Sequence, residues 1–227
     1  MSLQIRSRAV KPCIARLIAT SSTQHPSTAY THLSRTHGSA THATPTDLTA
    51  SQRHALESAL RVDQAGEIAA NYIYKGQLAI LGRDKELGPL IQDMWDQEKK
   101  HLAVMDKLQL QHNVRPTVLS EIAKVAGFGL GAVTALMGKE AAMACTEAVE
   151  TVIGEHYDDQ LKELDSFASK HPSLPLLKGI IREFRDDELE HLDIAVDHFS
   201  QRAPAHALLS SVVGGGCKIA IELCKRI

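Results

Sequence analysis

The sequence predicts an all-α protein built around a four-helix bundle, and three observations carry that prediction. Strand signals are scarce, whereas stretches rich in Ala, Leu, Glu and Lys are long. Residues 98–101 read Glu-Lys-Lys-His and residues 188–191 read Glu-Leu-Glu-His. On a helix, each Glu-x-x-His pair sets a carboxylate and an imidazole on one face. Each pair also trails a single candidate glutamate, Glu67 before the first and Glu150 before the second. One Glu-x-x-His says little, because both residue types are common on helix surfaces. Two of them, each with its own leading glutamate, form the pattern by which four helices hold a pair of iron or manganese ions.

Composition narrows the function classes. The chain has 227 residues, 44% of them hydrophobic and 23% charged, as expected for one globular domain with a tail. A net charge of -2 and the lack of any basic stripe argue against a nucleic-acid partner. Cys13, Cys145, Cys217 and Cys224 show no C-x-x-C spacing, so neither a zinc site nor a disulfide framework is indicated.

Residues 1–46 differ from everything after them. They contain Arg6, Arg8, Lys11, Arg16 and Arg35, many Ser and Thr, and no acidic residue before Asp47. That is the composition of a mitochondrial presequence, expected to be disordered and removed after import. The competing reading is an ordinary disordered tail. His25, His32, His37 and His42 are too scattered along it to be ligands.

From residue 47 the helices begin. Thr49 or Ser51 can cap a helix with apolar positions at Leu56, Leu60, Ala70, Tyr74, Leu78 and Leu81. Asp63 and Glu67 fall on that same face and need partners, since an unpaired buried carboxylate costs roughly several kcal/mol. Gly82 and Gly88-Pro89 close this helix and open the next, about residues 89–111. There Glu98 and His101 fill gaps in a stripe of Ile91, Met94, Trp95, Leu102, Met105 and Leu108, so both point inward. The segment from Val118 to Gly138 is nearly uncharged from Val125 onward and rich in glycine. It reads as a buried crossover or as a surface dipping into one leaflet of a membrane. The run from Ala205 to Cys224, interrupted by three glycines at 214–216, has the same character. Neither reads as a transmembrane helix.

A third bundle helix spans roughly 139–169, and on it both Glu147 and Glu150 can face the centre; spacing does not choose between them. Pro172 and Pro175 precede a fourth, where Leu177, Ile181, Phe184, Ala195 and His198 share a face with Glu188 and His191. Asp187 could orient a metal-bound imidazole of a neighbouring helix; the alternative is a solvated charge beside Arg185. The halves, about 48–113 and 131–198, read as approximate repeats of one plan. A carboxylate-rich set with two imidazoles favours iron, then manganese, over calcium or tetrahedral zinc.

The chain resembles the mitochondrial 5-demethoxyubiquinone hydroxylase family, a ferritin-like di-iron group of ubiquinone biosynthesis. The resemblance rests on residues 61–67 (Arg-Val-Asp-Gln-Ala-Gly-Glu), 95–101 (Trp-Asp-Gln-Glu-Lys-Lys-His), 114–117, 138–146, 155–157 and 185–191 (Arg-Asp-Asp-Glu-Leu-Glu-His). It implies that Glu67, Glu98 and His101 bind one iron and Glu150, Glu188 and His191 the other, with Glu98 and Glu188 bridging. His156 and Tyr157 match a pair beside the cavity, with substrate positioning or simple satisfaction of a neighbour as alternatives. Gln64 stands where the family suggests His, and Glu147 where it suggests an apolar residue.

The activity implied is O2-dependent hydroxylation of a polyprenylated demethoxyubiquinone or demethoxyubiquinol, with two iron ions per chain. Electrons would come from NADH directly or through a reductase, since no G-x-G-x-x-G fingerprint is present. The resemblance further implies a peripheral place on the matrix side of the inner membrane. It also implies a lipid-binding partner within a ubiquinone-synthesis complex, and a homo-oligomer. An iron-storage protein, a quinol oxidase that leaves the ring unaltered, and a metal-free helical interaction protein are the competing classes.

Overall fold

The computed structural model describes residues 25–31 and 38–227, and among these it contains helices and no strand. Two short helices, α1 (Thr28–Thr31) and α2 (Ser39–His42), precede the long ones. The bundle consists of α3 (Ala50–Leu81), α4 (Leu87–His112), α6 (Lys139–Asp165) and α7 (Ser173–Asp197). Helices α5 (Ser120–Met137) and α8 (His206–Cys224) lie outside it, on α3 and α6 respectively.

Local chemistry sets the ends. The Thr49 side chain accepts the Gln52 N–H and Gln52 returns the bond to the Thr49 N–H, a reciprocal cap that starts α3. Gly82 ends it. The Asp84 carboxylate accepts the N–H groups of Glu86 and Leu87, so α4 starts slightly before the expected residue 89. Pro175 sits inside the first turn of α7 rather than ahead of it, where a missing N–H leaves no helical bond unmade. Helix α8 passes through Gly214–Gly216 without a break.

The bundle core has two apolar ends. Leu56, Leu60, Met105, Leu108, Leu161, Leu177, Ile181 and Phe184 pack together at one. Tyr74, Leu87, Ile91, Met94, Ala142, Met143 and Ala195 pack at the other. Glu67, Glu98, Glu150 and Glu188 each lie between these two sets in sequence, so the carboxylates are delivered to mid-bundle.

The glycines of α5 are explained by its contact with α3. A Cβ on Gly131 would stand 2.0 Å from the Ile73 carbonyl oxygen, and one on Gly76 2.3 Å from that of Phe128. The two backbones touch, and only glycine fits between them. The opposite face of α5 exposes Val125, Val133 and Leu136, while α8 exposes Leu208, Val212, Ile219 and Leu223. Both helices are long and apolar enough to cross a membrane by length and composition, with mean hydropathies of 1.2 and 1.5.

The N-terminal tail departs from expectation where it is described. Instead of being disordered, residues 25–31 and 38–46 dock on the bundle. Ser27 donates its N–H (2.9 Å) and its hydroxyl (2.6 Å) to the Glu183 carboxylate. Tyr30 is buried and its hydroxyl donates to Gln111, whose amide in turn donates to the carbonyls of Ala40 and Ala43. Thr44 pairs with buried His112 at 2.8 Å. Glu183 and Gln111 thus find partners that no pattern within the tail announces. Arg6, Arg8, Lys11, Arg16 and Arg35, on which the targeting expectation rests, lie outside the described residues.

Candidate metal centre

The structure brings together all six candidate ligands. Glu67, Glu98, His101 and Glu188 each present an atom within 4.8 Å of the others, and so do Glu98, Glu150, Glu188 and His191. Glu98 and Glu188 belong to both groups, the placement a bridging carboxylate needs. None of the six is more than 3% exposed. Both imidazoles turn Nδ1 toward the carboxylates: His101 Nδ1 lies 3.3 Å from Glu188 and 3.7 Å from Glu67. His191 Nδ1 lies 3.2 Å from Glu98 and 3.3 Å from Glu188.

Neighbouring helices hold these side chains in place. The Tyr157 hydroxyl of α6 donates to Glu67 of α3 at 2.7 Å, and the Tyr74 hydroxyl of α3 donates to Glu150 of α6 at 2.8 Å. His101 Nε2 donates to Asp187 at 3.0 Å, and His191 Nε2 to the Gln97 side-chain carbonyl at 2.5 Å. An acceptor on Nε2 keeps the proton there and leaves Nδ1 free to bind a cation. Phe184 stacks on His101 with centroids 3.9 Å apart. Asn71 donates to the backbone carbonyls of Glu67 and Glu98, both at 2.9 Å, and accepts from the Trp95 indole, which locks α3 to α4 at ligand level.

Electrostatics describe a site built for cations. Burial drives Glu67 up to about 7 and Glu150 up to about 8, against partial relief from His101 and His191. Burial, then the charges of Glu188 and Glu67, hold Glu98 well above the usual carboxylate range. Glu188 alone is low, at about 2, because contacts with both imidazoles outweigh its burial. Burial disfavours charge on His101, yet Asp187 and Glu188 together lift it well above the ordinary value.

Five buried ligand atoms make no hydrogen bond: Glu67 Oε2, both oxygens of Glu98, His101 Nδ1 and Glu188 Oε2. Each such orphan costs about 1–3 kcal/mol. A pair of divalent cations would engage them all, and a set of four carboxylates with two imidazoles matches the donor preference of iron or manganese. The residues present fit such a pair.

Other sequence candidates fall elsewhere. Glu147 does not reach the centre: it pairs with His206, at the start of α8, at 2.9 Å. Asp63 is buried against Gln160 (2.8 Å) and His156 (3.2 Å). His156 also lines a groove of about 410 Å³ with Ser51, His54 and Gln160, whereas Tyr157 is turned away toward Glu67. Gln64 donates to Asp106 at 2.9 Å and stays outside the ligand set. Asp187 is a brace rather than a partner of Arg185, which binds Asp158 and Asp186 instead. The sequence reading missed the roles of Gln97, Asn71 and Tyr74. Gln97, directly ahead of Glu98 as Asp187 is ahead of Glu188, carried the one usable signal.

Known proteins resemble the chain over most of its length. Residues 54–224 match the family described as "Ubiquinone biosynthesis protein COQ7". The NADPH-dependent 3-demethoxyubiquinone 3-hydroxylase of Homo sapiens, a mitochondrial protein by name, is 51% identical over 176 residues, covering 77% of this chain and 79% of the human one. The mitochondrial 5-demethoxyubiquinone hydroxylase of Saccharomyces cerevisiae is 44% identical over 191 residues, covering 80% and 82%. The 3-demethoxyubiquinol 3-hydroxylase of Rhodospirillum rubrum is 46% identical over 172 residues, covering 76% and 78%. With a family match across three-quarters of its length, and with all six converging side chains inside that match, the chain belongs to the COQ7 family of ubiquinone-biosynthesis proteins.

Proposed function

We propose that this chain is a monooxygenase that hydroxylates the ring of a polyprenylated demethoxyubiquinone, or its quinol, in ubiquinone biosynthesis. The observation that carries the reading is the ligand set itself, two overlapping groups of buried acids and imidazoles with orphaned donor atoms, in a chain whose relatives are named for this reaction. One atom of O2 replaces a ring hydrogen as hydroxyl; the other leaves as water, using two electrons and two protons. A reduced nicotinamide nucleotide, directly or through a reductase, is the proposed electron source.

Two iron ions would supply redox electrons and open coordination positions for O2. Glu67 and His101 would hold one, Glu150 and His191 the other, and Glu98 and Glu188 would span both. The protein's own part is to keep this set rigid and dry. Tyr157 and Tyr74 fix the terminal glutamates by hydrogen bonds. Asp187 and Gln97 hold each imidazole proton at Nε2. The apolar ends of the core exclude water. His156, which lines the groove beside Ser51 and Gln160, is the residue of that pair proposed to meet substrate.

The exposed apolar faces of α5 and α8 support a peripheral seat on the matrix face of the mitochondrial inner membrane, where a polyprenyl tail would enter. A lipid-binding partner presenting the substrate, and self-association, complete the proposal. Val212→Asp with Ile219→Asp should reduce sedimentation with anionic vesicles at unchanged metal content.

The decisive experiment supplies iron-loaded protein with a short-tailed demethoxyquinone, reduced nicotinamide and ¹⁸O2, followed by mass spectrometry of the ring. One ¹⁸O atom in the product, absent with Glu188→Ala, is expected. Oxygen consumption with an unaltered ring would replace the hydroxylase by an oxidase.

A further inference from the structure

Each of the four side-chain braces on the candidate ligands crosses the bundle. Tyr74 and Tyr157 each stand seven residues after the glutamate of their own helix and hold the glutamate of the other. Gln97 and Asp187 each directly precede the bridging glutamate of their own helix and hold the histidine of the other. The exchange is symmetric in position and, with one exception, in chemistry. His101 gives its Nε2 proton to a carboxylate, whereas His191 gives its own to a neutral amide.

Resting on the di-iron reading above, we infer that Asp187 and Gln97 make the two metal positions inequivalent, the ion held by Glu67 and His101 being the more easily oxidised. A carboxylate accepting the Nε2 proton pulls it from the ring and raises electron density at Nδ1. The ion on that nitrogen then meets a stronger donor and accommodates an added positive charge more readily. An amide carbonyl does this far less. Two smaller differences accompany it: the Tyr74 hydroxyl also lies 3.5 Å from His191 Nδ1, and Phe184 stacks on His101. Each position has one terminal glutamate, one tyrosine donor to it and one imidazole, and both share Glu98 and Glu188. Arg185, the cation nearest in sequence, is occupied by Asp158 and Asp186, and among the described residues only His101 pairs with Asp187. Asp187 and Gln97 are thus positioning residues that also set an order between the two ions.

The test loads the full chain with ⁵⁷Fe under anaerobic conditions, counts the iron, and records Mössbauer spectra and a mediated potentiometric titration. Wild type should hold two irons, show two resolved ferrous doublets, and oxidise in two separate one-electron steps. The near-isosteric Asp187→Asn should raise the lower potential, and Gln97→Glu should depress the higher one. Both variants narrow the gap, but from opposite sides. A merely structural brace would not give shifts of opposite sign. Gln97→Glu with Asp187→Asn in one chain keeps the total charge and should restore the gap, with the order of the two irons exchanged. Two irons with one doublet in wild type, or both single variants shifting the same way, would overturn the inequivalence alone. Failure of wild type to hold two irons would overturn it together with the di-iron reading.

Discussion

Replacing a ligand should make the metal-free protein more stable. Glu98 is 1% exposed, neither of its oxygens has a hydrogen-bond partner, and burial beside Glu188 and Glu67 keeps it well above the usual carboxylate range. Leucine has a similar volume and nothing to satisfy. Removing an unsatisfied buried polar group recovers about 1–3 kcal/mol, and each kcal/mol moves Tm by roughly 2–4 °C in a domain of this size. Glu98→Leu should therefore raise stability by about 1–3 kcal/mol in urea titrations with chelator present. With Mn(II) added, the order should reverse. Wild type gains about 4.1 kcal/mol at a thousandfold excess over its dissociation constant, more than the variant's advantage, and the variant, short of a shared ligand, gains far less. A metal-free Glu98→Leu protein less stable than wild type would show that Glu98 is a satisfied structural carboxylate. A variant that gained as much stability from metal as wild type would remove Glu98 from the ligand set.

Metal binding should depend on pH, because Glu67 near 7 and Glu150 near 8 hold protons that a cation must displace. Calorimetric Mn(II) affinity should rise from pH 6 to 8; a flat profile would contradict the shifts. Both folded values lie above the ordinary 4.5. The stability these groups lend to metal-free protein is therefore complete below about 4.5 and is lost as pH climbs through 7 and 8. Gly131→Ala, whose Cβ would meet the Ile73 carbonyl, should cost roughly 1–3 kcal/mol in chemical denaturation. Gly129→Ala, which meets nothing within 4 Å, should cost none of this. Deleting residues 1–46 should lower Tm relative to deleting 1–24, since burial of a large side chain such as Tyr30 is worth about 1.5–3 kcal/mol; equal melting would mean that the docked tail contributes nothing.

The helices and their inward faces were legible because amphipathic periodicity is local. Leu56, Leu60, Ala70 and Tyr74 mark the buried stripe of α3 in the chain itself, and Thr49 with Gln52 marks its start. Both Glu-x-x-His pairs read as inward-facing for the same reason. The glycines of α5 were legible as a pattern, but not as a helix contact. Their meaning depends on the Ile73 and Phe128 carbonyls, which only the crossing of α3 and α5 brings to them.

What the sequence by itself determined was the kind of centre: how many acids and imidazoles enter the bundle, and from which helices. Tertiary structure decided everything that depends on a neighbour from another helix. Glu147 and Glu150 stand one helical turn apart, and periodicity admits both. His206 draws Glu147 toward α8 while Tyr74 holds Glu150 at the centre. Gln97 and Asp187 look like surface positions on their own helices, and become braces only because α4 and α7 carry their histidines toward one another. The docked tail is the same case, since its partners Glu183 and Gln111 lie far along the chain. Periodicity fixes the direction a side chain takes from its own helix axis; which atom waits there is set by the packing of another helix.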